Sequence, residues 1–163
     1  MTTSRLPLHV RGGAVFFITM RYYLNIGTNL GNLRQNIHQA IAALSAGTGG
    51  CMVSDMVESE PWGFESAHRF LNVGVAIDTH MQPMDVLQWL HDIERRLGSD
   101  AHRDEHGGYV DRLVDIDIMA IDDNQGNPVT IDTPSLQVPH KHLHDRPFFL
   151  QPLRQLRKAG ASQ

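Results

Sequence analysis

Two aspartates, Asp115 and Asp117, lie one residue apart within the apolar run from Leu113 to Ile121. The run predicts a β-strand, in which every second side chain faces the same way, so both carboxylates share one face with Cα atoms roughly 7 Å apart. Burying two carboxylates is costly unless a positive group neutralises them, and this run contains no Lys or Arg. A pair of Mg²⁺ ions meets that need, because Mg²⁺ prefers carboxylate oxygens and leaves positions for phosphate oxygens. The alternative is an edge strand with a solvated acidic face.

A second strand, predicted over residues 70–77, has two faces of different chemistry. One face carries four aliphatic side chains and suits a core. The other carries Phe70, Asn72, Gly74 and Ala76, which combine an aromatic ring, an amide and two small residues. This face leaves room for a flat ligand.

Hydrophobic periodicity predicts the elements that position these residues. In chain order they are a strand at Tyr22–Ile26, a helix with Leu30 to Leu44 on its buried stripe and Thr28 or Asn29 as N-cap, strands at Cys51–Glu58 and Phe70–Ile77, a helix from Pro83 to Gly98, a loop at Ser99–Val110, the aspartate strand, and short strands near Val129–Ile131 and Leu136–Val138. The order predicts an α+β fold, namely a ferredoxin-like βαββαβ sandwich with an added C-terminal hairpin.

Composition limits the classes of protein to consider. The 163 residues, 41% hydrophobic and 20% charged, suit one soluble domain. A net charge of −4 argues against non-specific nucleic-acid binding, and the single Cys51 suits a reducing cytosol. We therefore expect a cytoplasmic monomer with no nucleic-acid or membrane partner. Residues 1–19 differ from the rest and are predicted to be a disordered or non-native extension, with 20–163 as the single domain; a flexible but genuine tail is the alternative.

Several motifs, in their order and spacing, resemble the 6-hydroxymethyl-7,8-dihydropterin pyrophosphokinase family from about Tyr22 to Leu153. The motifs that carry the resemblance are Arg112 before Asp115-Ile116-Asp117, Pro139-His140 followed by Arg146, Phe148 and Pro152-Leu153, and more weakly Ile26-Gly27-Thr28-Asn29-Leu30 and Phe70-Leu71-Asn72. The resemblance implies transfer of pyrophosphate from ATP to the hydroxymethyl group of a dihydropterin, with release of AMP, in folate biosynthesis.

On the nucleotide side, the resemblance implies that Asp115 and Asp117 bind two Mg²⁺ ions that bridge the ATP phosphates and that, with Arg112, they are the catalytic residues. The residues that it implies contact ATP are His91, Glu94, Arg112, Ile118 and His140. Arg103, further along the loop, is expected to reach the same phosphates in place of the family arginine at position 99. Arg146 fits either a phosphate contact or a loop clamp, and a helical glutamate at position 94 is more often simply solvated.

On the pterin side, the resemblance implies ring stacking, hydrogen bonds to the ring edge and a mobile lid. The implied pterin contacts are Ser59, Pro61, Trp62, Phe70, Asn72 and Phe148. Tyr109, in the loop at Ser99–Val110, would close over the site. Core packing is the alternative role for Phe148, because Phe149 and Leu150 follow it.

The sequence also departs from the family pattern. Ser99 stands where many members have an arginine, Tyr109 replaces a loop tryptophan, and Lys141 replaces a frequent tyrosine. A non-catalytic homologue that binds pterin or nucleotide therefore stays open, as does an Asp-x-Asp transferase of another class. A zinc site is a weaker alternative, carried by His140, His142 and His144.

Overall fold

The structure is a computed structural model that describes residues 9–11, 14–16, 18–61, 68–98 and 113–161. Its elements in chain order are β1 (His9–Arg11), β2 (Ala14–Phe16), β3 (Met20–Thr28), α1 (Leu33–Thr48), β4 (Met52–Ser59), β5 (Phe70–Thr79), α2 (Pro83–Arg96), β6 (Asp115–Asp122), β7 (Ile131–Asp132), β8 (Gln137–Val138) and α3 (Pro147–Ala161). Strands β1 and β2 pair with each other inside the segment 1–19. The domain boundary at Met20 stays a prediction.

Strands β3 to β6 form a four-stranded sheet in the order β4-β5-β3-β6, and neighbouring strands are antiparallel. Together with helices on its faces, this sheet confirms the predicted α+β class. Strand β3 lies between β5 and β6, so its residues from Tyr22 to Gly27 have partners on both sides. Gly27 lies opposite Asn72 on β5 and Asp115 on β6. The strand with the aromatic and amide face and the strand with the two aspartates therefore flank the same glycine of β3.

Helices α1 and α2 cover one face of the sheet. The aliphatic side chains of β3, β5 and β6 on this face are buried against both helices. Helix α1 begins later than predicted, because the chain turns at Gly31, whose φ of +72° is left-handed. Its N-cap is therefore Asn32, whose side chain accepts a hydrogen bond from Gln35 N at 3.1 Å, and not Thr28 or Asn29.

Helix α3, which the sequence analysis did not predict, covers part of the opposite face. Its residues Phe149, Leu153 and Leu156 are buried in a second apolar cluster that includes Tyr23 and Met119. Gly74 allows the close approach, since a Cβ built there would lie 2.6 Å from Pro152 Cβ. Helix α3 leaves the Gly27 end of this face uncovered.

Strand β6 contains one extra residue relative to β3. Leu24 pairs with Ile118 and Tyr23 pairs with Ala120, so Met119 is inserted between them as a β-bulge. Ile116 and Ile118 before the bulge, and Ile121 after it, all face α1 and α2. The bulge thus accommodates the extra residue, so that the isoleucines on both sides of it stay on the core side, whereas both aspartates face away from the main core.

Strands β7 and β8 form a small antiparallel pair within a residue or two of the predicted short strands. The turn between them lies beside the uncovered end of the sheet. No helix in the part of the chain that the structure describes is both long enough and apolar enough to cross a membrane.

Candidate active site

A cleft of about 450 Å³ lies at the end of the sheet that α3 leaves open. Its floor comes from β3, β5 and β6, and its walls come from α2, the β7–β8 turn and the start of α3. The residues that line it are Asn25, Gly27, Ser59, Glu60, Phe70, Asn72, Leu87, His91, Glu94, Asp115, Ile116, Asp117, Ile118, the turn 133–137, His140, Lys141, Arg146, Phe148 and Phe149. Most of the predicted site residues that the structure describes are therefore brought together.

The two aspartates form the acidic end of the cleft. Asp115 and Asp117 are half-buried and line the cleft, whereas Ile116 between them is buried in the main core. Strand β6 is an edge of the four-stranded sheet, as the solvated alternative requires. However, both aspartates line a concave cleft. A solvated acidic edge has no need of such a cleft, so the alternative does not account for it.

Glu94 on α2 holds the outer edge of β6. Its side chain is 1% exposed, and Oε1 accepts a hydrogen bond from Ile116 N at 3.1 Å. The burial excludes the solvated role that is commonest for a helical glutamate. His91, nearly one turn earlier on α2, is exposed and also lines the cleft.

His140 is fixed by one hydrogen bond of its backbone and one of its ring, in the loop after the cis peptide bond Val138–Pro139. Its backbone N–H donates to Met119 O at 2.9 Å, which uses the carbonyl of the bulged residue. His142 N donates to His140 Nδ1 at 3.1 Å, so Nδ1 is the acceptor and Nε2 carries the proton of the neutral ring.

The charge state of the His140 ring follows from its surroundings. Burial, followed by the positive charge of Arg146, lowers the pKa of His140 to about 4, and Asp115 opposes the shift. At neutral pH the ring is uncharged. It can therefore donate one hydrogen bond through Nε2 to an acceptor in the cleft.

The aromatic end of the cleft is a slot beside Gly27. Asn72 is 2% exposed and donates through Nδ2 to Ser59 Oγ at 2.7 Å and Val57 O at 3.3 Å, which directs Oδ1 toward Gly27. A Cβ at Gly27 would lie 3.2 Å from Asn72 Oδ1 and 3.6 Å from Phe70 Cδ1. The missing side chain thus keeps an amide acceptor and a ring open to a ligand.

Arg146 and the start of α3 complete the wall of this slot. The guanidinium carbon of the buried Arg146 lies 4.9 Å from the ring centroid of Phe149 and 5.9 Å from that of Phe148. Both rings line the cleft; Phe149 is buried in the second cluster, whereas Phe148 is half-buried. Arg146 therefore packs its guanidinium group against both rings and also lines the cleft, which leaves both the phosphate contact and the loop clamp open.

Comparison with known proteins decides the family. Residues 23–158 match the family described as 7,8-dihydro-6-hydroxymethylpterin-pyrophosphokinase (HPPK). The chain belongs to this family. Among its relatives, 2-amino-4-hydroxy-6-hydroxymethyldihydropteridine pyrophosphokinase of Porphyromonas gingivalis (strain ATCC 33277) is 37% identical over 132 residues, covering 80% of this chain and 86% of the relative.

Two other bacterial proteins of the same name are similar over comparable lengths. The Pseudomonas aeruginosa (PAO1) protein is 35% identical over 138 residues, which is 83% of this chain and 80% of that protein. The Bacillus subtilis (strain 168) protein is 32% identical over 136 residues, which is 82% of this chain and 76% of that protein. These matches confirm the resemblance inferred from the motifs.

Some of the residues expected for an HPPK family member are not seen in the cleft. Pro61 is described but does not line it. Trp62, Arg103, Tyr109 and Arg112 lie outside the described residues, so their expected roles stay predictions.

The zinc alternative finds no support in the described ranges. There, no group of three or more His, Cys, Asp or Glu side chains could hold a metal ion, and His142 Nδ1 lies 3.1 Å from Asp145 Oδ2. His140, His142 and His144 therefore do not converge on one point.

The cleft also contains residues that the sequence analysis did not single out as site residues. They are Asn25, Gly27, Leu87 and the turn 133–137. A signal existed for Asn25, which is a lone polar residue in an apolar strand and two positions before Gly27. No sequence pattern indicated the turn 133–137, because its position beside the cleft depends on the path of the loop after β6.

Proposed function

We propose that this protein transfers pyrophosphate from ATP to the hydroxymethyl group of 6-hydroxymethyl-7,8-dihydropterin, releasing AMP, as a step of folate biosynthesis. One observation carries the proposal beyond family membership. A single cleft joins an acidic pair, Asp115 and Asp117, to an aromatic and amide slot formed by Phe70, Asn72 and Phe148. A triphosphate with its cations suits the first end, and a flat heterocycle with ring N–H groups suits the second.

The pterin is proposed to lie between the rings of Phe70 and Phe148, with its amide edge against Asn72. Because the Nδ2 group of Asn72 is already donating to Ser59 and Val57, its Oδ1 accepts from N–H groups of the pterin. Gly27 leaves the space that the heterocycle fills. Pro61 and Trp62 are proposed to contact the pterin from the segment after β4.

The residues at the acidic end fit two Mg²⁺ ions. Both aspartates offer hard oxygen ligands in a half-buried cleft, and Mg²⁺ commonly takes one or two carboxylates with water and substrate phosphates as its remaining ligands. When bound there, Mg²⁺ neutralises the negative charge of the ATP phosphates and favours attack at the β-phosphorus. Glu94 keeps β6 in place through Ile116, which sets the spacing of the two carboxylates.

The transfer forms a bond between the pterin hydroxymethyl oxygen and the β-phosphorus of ATP, and the hydroxyl proton is released to solvent. The bond from the β-phosphorus to the oxygen shared with the α-phosphorus breaks, and AMP leaves with that oxygen. His140 is proposed to donate from Nε2 to a phosphate oxygen. Arg112 and Arg103 are proposed to neutralise developing phosphate charge, Ile118 and His91 to flank the nucleotide, and Tyr109 to close over the cleft.

The finer details of architecture and setting are also proposals. The order β3-α1-β4-β5-α2-β6, with both helices on one face of an antiparallel sheet, supports a ferredoxin-like arrangement to which β7, β8 and α3 are added. The single cysteine supports a reducing, cytoplasmic setting. We propose that the protein acts as a monomer.

The test is an assay of the purified protein with ATP, Mg²⁺ and 6-hydroxymethyl-7,8-dihydropterin. We expect AMP and the diphosphorylated pterin to form in equal amounts, and no AMP without the pterin. Binding of both substrates without AMP would favour the non-catalytic homologue. AMP formation without the pterin would favour an unrelated ATP-cleaving activity.

A further inference from the structure

Asn25 is a buried polar side chain in the middle of the apolar strand β3. It is 2% exposed, lines the cleft, and lies opposite Gly74 on β5 and Asp117 on β6. It therefore stands where the acidic end of the cleft meets the start of α3. Burying an amide is unfavourable unless the amide is hydrogen-bonded, so its partner indicates its role.

The partner is a backbone carbonyl on α3. Asn25 Nδ2 donates to Phe148 O at 2.9 Å. In a regular α-helix the carbonyl of residue 148 accepts from the N–H of residue 152. That residue is Pro152, which has no N–H and leaves the carbonyl without its helical donor. The side chain of Asn25 supplies the donor that the proline removes.

The same point of the sheet also receives the proline ring. Pro152 packs over Gly74, the cross-strand neighbour of Asn25, where a Cβ would lie 2.6 Å from Pro152 Cβ. The first turns of α3 are thus fixed by a hydrogen bond and a close contact on adjacent strands. Phe148 belongs to this turn, so the place of its ring in the cleft depends on both.

We propose that Asn25 is a positioning residue for the pterin: through the Phe148 carbonyl it fixes the Phe148 ring in its stacking position. The proposal rests on the proposed function, because it requires Phe148 to contact the pterin. Asn25 acts through Phe148, so its removal affects the pterin and not ATP.

A double-mutant cycle of Asn25→Ala and Phe148→Ala, read out as dissociation constants for the pterin and for ATP with Mg²⁺, tests this role. Loss of one hydrogen bond that orders the ring should weaken pterin binding by about three- to ten-fold. The ATP constant should stay unchanged. In the Phe148→Ala background, Asn25→Ala should cause no further loss of pterin affinity. Fully additive losses would overturn the proposal.

Two further variants separate the hydrogen bond from general loosening. Asn25→Leu keeps a similar volume without the donor and should lose as much pterin affinity as Asn25→Ala; wild-type affinity would overturn the role of the hydrogen bond. The matched control is Ser54→Ala. Ser54 is also buried on the α3 side and accepts from Gly74 N at 2.8 Å, but it does not line the cleft.

Ser54→Ala should lower the melting temperature and leave pterin affinity unchanged. An equal loss of pterin affinity in Ser54→Ala would overturn the proposal. Phe148→Ala distinguishes a failure of the proposed pterin slot from a failure of the proposed role of Asn25. Unchanged pterin binding in that variant overturns the proposed pterin slot together with the role of Asn25, whereas a loss there but not in Asn25→Ala overturns the role of Asn25 alone.

Discussion

Polar side chains of the cleft are oriented by hydrogen bonds to a neighbouring strand or loop. Glu94 accepts from Ile116 N, His140 Nδ1 accepts from His142 N, and Asn72 donates to Ser59 Oγ. Each bond fixes which atom is left to face a ligand. Substitutions of Asn72 or His140 should therefore change one ligand contact at a time, whereas a substitution of the buried Glu94 should also release the outer edge of β6.

For the acidic pair, we expect Asp117→Asn to reduce turnover by about 100-fold or more, because stabilisation of phosphate charge is the main catalytic contribution. Pterin binding alone should change little. The melting temperature without metal should hold or rise, since two neighbouring carboxylates repel each other. AMP release measured against Mg²⁺ concentration for both proteins decides the matter. Wild-type turnover and an unchanged Mg²⁺ dependence in the variant would instead support the alternative, in which Asp117 lies on a solvated acidic edge and binds no metal.

For His140, we expect a pH-dependent contribution to stability. Its folded pKa is about 4 and its ordinary value is 6.5, so between these values the unfolded ring takes up a proton that the folded ring does not. The contribution is complete above pH 6.5 and is lost as the pH falls toward 4. The slope is at most about 1.4 kcal/mol per pH unit.

Urea denaturation of wild type and His140→Gln at several pH values between 4 and 7 measures this contribution. The variant should lose less stability than wild type on acidification. His144→Gln, which changes an exposed histidine of the same loop, is the control and should follow wild type. Equal pH dependence for wild type and His140→Gln would show that the ring titrates normally.

The sequence predicted those site residues whose placement depends on strand alternation alone. Asp115 and Asp117 share a face, as do Phe70 and Asn72, because a period of two holds along β5 and up to the bulge of β6. The burial of Glu94 was not predicted, since a helix pattern does not show that a neighbouring edge strand will cover a charged residue. Tertiary pairing supplies that information.

At the scale of elements, α3 is the main feature that the sequence analysis missed. Phe149, Leu153 and Leu156 have the spacing of a helix face, but Pro152 among them indicates a break. The break does not occur because Asn25 and Gly74, more than 70 positions earlier in the chain, accommodate the proline. The local sequence pattern around Pro152 cannot show that residues so distant in the chain will accommodate the proline.

Packing of α3 on Gly74 leads to a prediction about two glycines on opposite faces. In Gly74→Ala the new Cβ meets Pro152 at 2.6 Å, and in Gly47→Ala it meets the Trp89 ring at 2.4 Å. Each change should lower the free energy of unfolding by about 1–3 kcal/mol through overpacking. Only Gly74→Ala should also weaken pterin binding, because only it displaces the start of α3.

Denaturation and pterin titration of both variants test this difference. If Gly74→Ala and Gly47→Ala lose the same stability and also the same pterin affinity, the cleft responds to destabilisation of any part of the domain. In that case the position of α3 would have no special role in pterin binding.

Across the whole molecule, α3 runs from the cleft to the opposite end of the sheet. Near its other end, Arg157 donates to Asp122 Oδ1 at 3.0 Å, and its guanidinium carbon lies 5.1 Å from the Tyr23 ring centroid. The helix therefore has one end that lines the cleft and one that is fixed by an ion pair. Ligand binding should stabilise these ends unequally.

Hydrogen exchange with and without both substrates and Mg²⁺ measures this inequality. We expect slower exchange at the amides of Phe148 to Leu150 and at the start of β6 when ligands are bound. Amides near Arg157 and Asp122 should show the smaller change that comes from overall stabilisation. Uniform slowing along α3 would contradict the prediction.

The extra residue in β6 has a consequence for changes of chain length. Removing Met119 would leave a strand in which aspartate and isoleucine still alternate correctly, because Ile118 would then precede Ala120 directly. Such a shortened protein should fold and keep both carboxylates on the same side. It would lose the carbonyl that accepts from the His140 backbone N–H, so a deletion that makes the strand more regular should weaken binding at the end of the cleft that is proposed to take ATP. The cleft therefore depends on the chain length at position 119 as well as on the buried Met119 side chain, which packs in the cluster under α3.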